Sequence, residues 1–542
     1  MSYQYKHHGW QPCPEARDET VRHKAIIVGG GPVGLTTALE LAAYGVPSVV
    51  LEDGDTVSEG SRGLCWSKRT LEILDRHGVA EQVRARGYTW HTGRLFHGDR
   101  EIYHFDLQAV AGEKFPAFVN LQQYYTEEFL VDAVARQPLI DHRWQSKVVD
   151  VAPGNDCVAV EVETPAGRYR AEADWLVAAD GTRSAARRAL GLKFDGSTFE
   201  DCFLIADLKV HAALPNADRR FWFHPSFHPG DTALCHKQGD DMWRVDFQLG
   251  ADIDREAEKD PARVIARAQK MLGPHPMTVE WVSIYTFQGR RLERLRHGRV
   301  LFAGDAAHQV SPFGARGGNS GIQDAENLAW KLAYVIRGKA PDRLLDSYDA
   351  ERGEAADENI LLTSRSTRFL TPKTAAERVF RDAVLDLAGE HPFARALVNS
   401  GRLSTATIHR RSPLNGGDGG FAGGVAVGGP CPNLPAPAAT GSHLLDSLGR
   451  RFQLLCFADG APAPAALVEL DDDIEPILVT RGAARSQGAP QSLADPDGRL
   501  HDAFAAQPGT CYLLRPDQHV AARWRRFDAD AVKSARDRAL GY

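Results

Sequence analysis

Three short segments carry residue types and spacings suited to binding a phosphorylated cofactor. The first is Gly29-Gly30-Gly31-Pro32-Val33-Gly34, directly after the apolar run Ala25-Ile26-Ile27-Val28. A pyrophosphate needs free backbone N–H groups at a helix start, and glycines that let the chain approach without a Cβ. Glu52, with Asp53 beside it, closes a second apolar run, Ser48-Val49-Val50-Leu51. A carboxylate at that point can accept both hydroxyls of an adenosine ribose. An acid there disfavours a 2′-phosphate but does not choose NAD over FAD. The competing reading of the glycines is a tight packing turn.

The second segment is Gly304-Asp305-Ala306-Ala307-His308, fed by Val300-Leu301-Phe302-Ala303. An aspartate delivered into such a turn can bond a ribitol hydroxyl. The chain runs on through Pro312 to Gly317-Gly318-Asn319 and into a helix expected from about Gly321 to Arg337. A glycine-rich helix N-terminus can stabilise negative charge. The third is Asp180-Gly181-Thr182-Arg183, after Trp175-Leu176-Val177-Ala178-Ala179. It suits a second phosphate contact or a plain turn with exposed arginines.

The elements that must position these residues follow from periodicity. Leu35, Leu39 and Ala42 mark a helix ending at Gly45, so 25–52 forms a strand–turn–helix–strand unit. From about 95 to 290 the texture turns alternating, as in a larger antiparallel sheet. There Arg220, Trp222 and His224 share one face by parity, as do Arg244, Asp246 and Gln248, with His236 nearby. Such a polar face suits a cavity or plain solvent. His224 or His236 is the candidate acid–base group, against the reading of an ordinary satisfied histidine. A Gly/Pro-rich stretch over 412–441 reads as the linker into a last domain.

Composition bounds the rest. The chain has 542 residues, 43% hydrophobic and 25% charged, with a net charge of −7. That predicts a globular protein of several domains, with no polyanion-binding surface and no nucleic-acid partner. No window has the continuous apolar length of a membrane span, and the first twenty residues lack a signal-peptide core. The eight cysteines are scattered without paired spacing, so neither a disulfide framework nor a metal site is expected, and a cytoplasmic location is.

Taken together, the three segments resemble the single-component FAD-dependent aromatic hydroxylases, which include para-hydroxybenzoate and phenol hydroxylases. Order and spacing match over about 25–355. The resemblance implies FAD as cofactor, NAD(P)H and O2 as co-substrates, and oxygen transfer to a small aromatic, phenolic in type, through a flavin C4a-hydroperoxide. It implies an α/β (α+β) protein: a Rossmann-type FAD-binding domain with an inserted, mostly antiparallel substrate-binding sheet and a C-terminal thioredoxin-like domain. The boundaries so implied are an arm over 1–24, an FAD domain over 25–195 and 285–395, a substrate sheet over 196–284, and the tail over 412–542. Part of 95–125 is open to joining the sheet.

By the same resemblance Gly29, Gly31, Pro32, Val33 and Gly34 bind the FAD diphosphate, and Glu52 and Asp53 flank the ribose. Arg62 serves the phosphates, and Gln123 lies near the ribityl chain, with Gln122 next door leaving that assignment open by one residue. Asp180 and Gly181 serve FAD and NAD(P)H. Gly304, Asp305, Gly317, Gly318 and Asn319 hold the ribityl chain and flavin, and Pro312 borders flavin and substrate. His308 is read as packing or capping. Arg316 departs from the family's G-G-Q-G-M-N and puts a charge near the expected ring position.

The segments Leu444–Phe452, Ala494–Arg499 and Tyr512–Asp517 are similar to the tail of the 3-hydroxyphenylpropionate and phenol hydroxylase branch. Without C-x-x-C, that tail is expected to be structural or to form a homodimer. Halogenase, Baeyer–Villiger and dithiol-reductase signatures are missing from the sequence. Another FAD-dependent oxidation on the same fold (decarboxylation, dehalogenation or epoxidation) and a flavin-binding protein without turnover remain the alternatives.

Overall fold

The computed structural model describes all residues except 1–2, 18, 20, 108–111, 215–216, 399–402, 439–440, 459–466, 468–469 and 483–490. The apolar runs read from the sequence pair in one parallel sheet. Its main path is Arg296–His297, Val300–Phe302, Gly167–Ala178, Arg22–Val28, Ser48–Leu51 and Ile140–Arg143, all parallel except the first pair, with Val158–Thr164 and Lys147–Pro153 added antiparallel beside Gly167–Ala178. Strands buried on both faces can be continuously apolar, and Ala25–Val28 is fully inside. Helix Pro32–Ala43 packs on this sheet, with proline at its start, where a missing N–H costs nothing. The helix expected from about Gly321 begins earlier, as Gly317–Ile336. Gly317 and Gly318 therefore belong to its first turn.

A second, eight-stranded sheet takes strands from 92–106, 194–249, 277–292 and 308–309, in mostly antiparallel order. One face is apolar, and Trp222, Cys235, Val245 and Phe247 pack there with Val264 and Ala268 of helix Pro261–Leu272. The other face meets the 60–61 loop, where Arg244 bonds the Ser61 carbonyl and Trp281 lies against Gly60.

The C-terminal sheet has five strands ordered Gln491–Ala494, Ile474–Thr480, Phe452–Phe457, Cys511–Leu514 and Val520–Trp524. The first three are parallel and the last two antiparallel, closed by helix Ala529–Ala539. Its core is continuous with the first domain's, since Phe452 meets Trp330 edge-on at 6.2 Å. A buried ion network reinforces the junction. Arg515 donates to Glu351 at 2.5 Å and bonds Asp517, while Lys331 donates to Glu351 at 2.7 Å. Cys456 and Cys511 face each other on adjacent strands with sulfurs 3.6 Å apart, both free thiols. Their separation in sequence hid this pair from any spacing rule.

Candidate active site

The glycine turn is shaped by contacts that a side chain would destroy. Gly29 has φ +104, and a Cβ there would lie 2.6 Å from the Ala179 carbonyl oxygen; one on Gly34 would lie 1.9 Å from the Gly29 oxygen. Gly31 faces open space, with nothing nearer than Glu127 at 4.0 Å. Glu52 accepts from the Gly30 N–H at 2.6 Å and the Gly54 N–H at 2.9 Å. Burial, then neighbouring Asp53, pushes its carboxyl up to about 7. The cradle is thus a bare backbone with an acid at its strand end.

The segment after Glu52 is held from below. Gln123 accepts from the Gly63 N–H at 2.7 Å and donates to Glu127 at 2.7 Å, and Glu127 accepts from the Ser58 N–H at 2.6 Å. Gln122 instead reaches the Gly239 carbonyl in the second sheet. Arg62, between these anchors, is exposed. Asp180 spends one oxygen on the N–H groups of Ala185 (2.7 Å) and Ala186 (3.2 Å), and its other oxygen is buried with no partner among the described residues.

The Gly304-Asp305 turn is built around Asp324, which accepts from the Gly304 N–H (2.9 Å), His308 (2.6 Å) and Arg352 (2.6 Å). His308 and Arg352 hold the Asp324 carboxyl well below the usual range, against its burial. Asp305 itself is exposed. Gly321 allows helix Gly317–Ile336 to lie on this turn and on Val33, for a Cβ there would be 3.2 Å from the Gly304 Cα and 2.6 Å from Val33.

Two residues of this region differ from expectation. Asn319 uses both ends of its amide on the protein: Ser67 N–H and Thr70 donate to it, and it donates to the Cys65 and Ala315 carbonyls. Its side chain is a brace, with both amide atoms spent on the protein. Arg316 is buried and donates to Asn359 at 2.7 Å, so its charge is committed to helix Asp346–Leu370.

On the second sheet, one row of side chains crosses four strands. Arg219, His236, Arg244 and Asp207 are neighbours in register, followed by Trp281. Arg244 makes two bonds to Asp207, at 2.8 and 2.9 Å, and a third to the Ser61 carbonyl. Its Nε and Nη2 donors are spent on these bonds, which makes it a positioning residue. His236 is 4% exposed, and neither ring nitrogen has a partner among the described residues. Burial, then Arg219 and Arg244, holds His236 well below its usual range, so the ring is neutral. Burial pushes the Asp246 carboxyl up to about 7, opposed by Arg244 and Arg219, and one of its oxygens lacks a partner among the described residues.

His224 lies elsewhere. It has φ +52, has left the strand's alternation, and bonds Arg381 on helix Ala375–Ala388. Trp222 is in the apolar layer beneath the sheet, on the face shared by Arg220 and opposite Arg219. On this strand it is Arg219, on the opposite parity from Arg220 and Trp222, that meets the cavity.

Between the sheet and the Pro312 turn lies a cavity of about 1110 Å³. Phe105, Phe118, Phe221, Phe223, Phe313 and Phe369 line it, with Arg219 and Gly314. Pro312, exposed, precedes that wall.

This arrangement defines a dinucleotide-binding flavoprotein fold joined to an aromatic-lined cavity. Residues 22–362 match the family described as FAD binding domain. The chain is 31% identical to a 6-methylpretetramide 4-monooxygenase of Streptomyces rimosus, over 95% of this chain and 93% of the relative. It is 29% identical to a 3-(3-hydroxy-phenyl)propionate/3-hydroxycinnamic acid hydroxylase of Mycobacterium sp. (strain JLS), over 96% and 92%. The crystal structure of the flavin-dependent monooxygenase PieE in complex with FAD and substrate shares the fold, with a TM-score of 0.81 at 23% identity over 96% of this chain and 99% of that one. The chain belongs to the family of FAD-dependent aromatic monooxygenases. No helix among the described residues is long and apolar enough to cross a membrane.

Proposed function

We propose that the protein hydroxylates a phenolic ring larger than a single-ring phenol, using NAD(P)H and O2. The observation that carries this reading is the shared wall of the cavity: Phe313 and Gly314 from the glycine-rich turn on one side, Arg219, Phe221 and Phe223 from the sheet on the other. At about 1110 Å³ the cavity is slightly above the usual range for small-molecule sites, roughly 300–1,000 Å³. The relatives' names span 6-methylpretetramide and hydroxyphenylpropionate, so the cavity, not the names, supports the larger ring system.

The cradle fits the cofactor. Gly29–Gly34 offers bare backbone, Glu52 and Asp53 flank the ribose end, Arg62 stands exposed near the phosphates, and Gln123 fixes the loop beside them. Asp180 and Gly181 border the same crevice. Gly304, Asp305, Gly317 and Gly318, with the Asn319 backbone, form the turn for the ribityl chain and ring. When bound and reduced by NAD(P)H, FAD supplies the oxygen-activating chemistry.

The chain's own residues prepare the ring. Phenylalanine faces stack the aromatic and exclude water. Arg219, on the cavity wall, holds the phenolic oxygen and favours its ionised form, with neutral His236 behind it in the same row. Asp246, with its carboxyl near neutrality, takes up the proton. Pro312 keeps the turn against the substrate. The strand order of the C-terminal sheet, three parallel strands beside an antiparallel hairpin and a closing helix, supports a thioredoxin-like tail used for structure.

A ring-size series tests this reading. With FAD-loaded protein, NADPH and NADH oxidation is measured against monocyclic phenols and fused-ring phenols, with mass analysis of products. Coupled hydroxylation of the fused-ring set, with poor coupling of the monocyclic set, is expected. The reverse order would overturn the size assignment.

A further inference from the structure

The first residues of the chain, upstream of the segment that matches the family, lie along the loop that carries the candidate ribose and phosphate residues. Tyr5 accepts from the Gly60 N–H at 3.0 Å. The His8 N–H donates to the Asp55 carbonyl at 2.6 Å, and His7 pairs with the Asp55 carboxylate at 3.0 Å. Tyr3 anchors the run beyond, with its ring 4.3 Å from that of Tyr124 on helix Gln123–Ala135. The arm therefore clips 52–60 at two points from outside, while Gln123 and Glu127 grip 58–63 from below.

Where the arm crosses the end of the parallel sheet it builds an aromatic wall. His8 stacks on Trp144 at 4.3 Å and 5°. Trp144 follows strand Ile140–Arg143 and lies 4.5 Å from the His142 ring. His142 in turn faces the bare Gly30 backbone: a Cβ there would be 3.0 Å from its Nε2 and 3.0 Å from Glu52 Oε2. That Nε2 is buried without a partner among the described residues. In an open parallel sheet, ligands bind in the crevice at the strands' carboxyl ends, which is where Glu52, His142 and Trp144 sit.

We infer that residues 3–8 are part of the cofactor site, a strap that fixes the 52–60 loop and, through the His8–Trp144 stack, walls off the adenosine end of FAD. This rests on reading 29–34 and Glu52 as the cofactor cradle. The strap adds rigidity where family motifs supply only a turn and an acid, so its effect belongs to retention of the nucleotide half.

The test compares His8→Ala and the double variant His7→Ala/His8→Ala with the parent chain. Release of FAD and of FMN, which lacks the adenosine half, is followed by recovery of flavin fluorescence. The strap predicts FAD released up to about tenfold faster, in line with the loss of one aromatic stack, and FMN unchanged. Unchanged FAD release would overturn the strap, and so would equal acceleration of both flavins, which would mean a general loosening of the fold. A parent chain that takes up FMN but not FAD, or neither, would overturn the cradle reading itself.

Discussion

Asp207 and Arg244 face each other on neighbouring strands, joined by bonds of 2.8 and 2.9 Å, and the same guanidinium reaches the Ser61 carbonyl. The sheet that walls the cavity is thereby tied to the loop carrying Arg62. Removing one partner of a buried pair leaves an uncompensated charge and costs about 3–5 kcal/mol. Arg244→Met is expected to lose that much stability and to release FAD faster. Urea unfolding and flavin release measure both.

The cradle makes a second prediction. A methyl group on Gly34 would meet the Gly29 oxygen at 1.9 Å, between two backbones with little room to give. Gly34→Ala is expected to cost about 1–3 kcal/mol through overpacking and to purify with little flavin. The absorbance ratio of flavin to protein reads this directly.

Asp246 predicts a pH effect with a definite sign. Burial holds its carboxyl at about 7 in the folded chain, against about 3.9 unfolded. Between those values the folded state binds more protons, so this group's contribution to stability falls as pH rises, with the full penalty above about 7. Asp246→Asn lacks that step and gains on the parent chain as pH climbs. Thermal unfolding from about pH 5 to 8 shows the difference. With a phenolic substrate the same variant is expected to turn over about a hundredfold more slowly.

The tail gives a fourth. Glu351 is fully buried between Lys331 and Arg515, whose charges hold its carboxyl well below the usual range. Arg515→Met leaves Asp517 buried without its partner guanidinium, and a loss of about 3–5 kcal/mol is expected. The readout is whether the C-terminal domain and flavin site melt together, as one continuous core requires.

What was legible in the sequence was local. Strand, glycine turn, helix and acid follow one another within 25–52, and each leaves its own mark on that stretch. The sheet face was legible only to parity. Alternation separates Arg219 from Arg220 but does not say which one meets the cavity, and the left-handed backbone at His224 ends the alternation without a glycine to announce it. Asn319 and Arg316 sit in a recognisable turn, yet what their side chains bond depends on helices far along the chain. The Arg515–Glu351 pair spans 164 positions and the Cys456–Cys511 contact 55. Pairs so distant have no spacing signature.

The most direct test of the central claim is one experiment on FAD-loaded protein with NADPH or NADH, a fused-ring phenol and isotopically heavy O2. A product carrying one heavy oxygen atom on the ring, formed in step with NAD(P)H consumed, is expected. Product without the label, or peroxide alone across the phenol series, would contradict it.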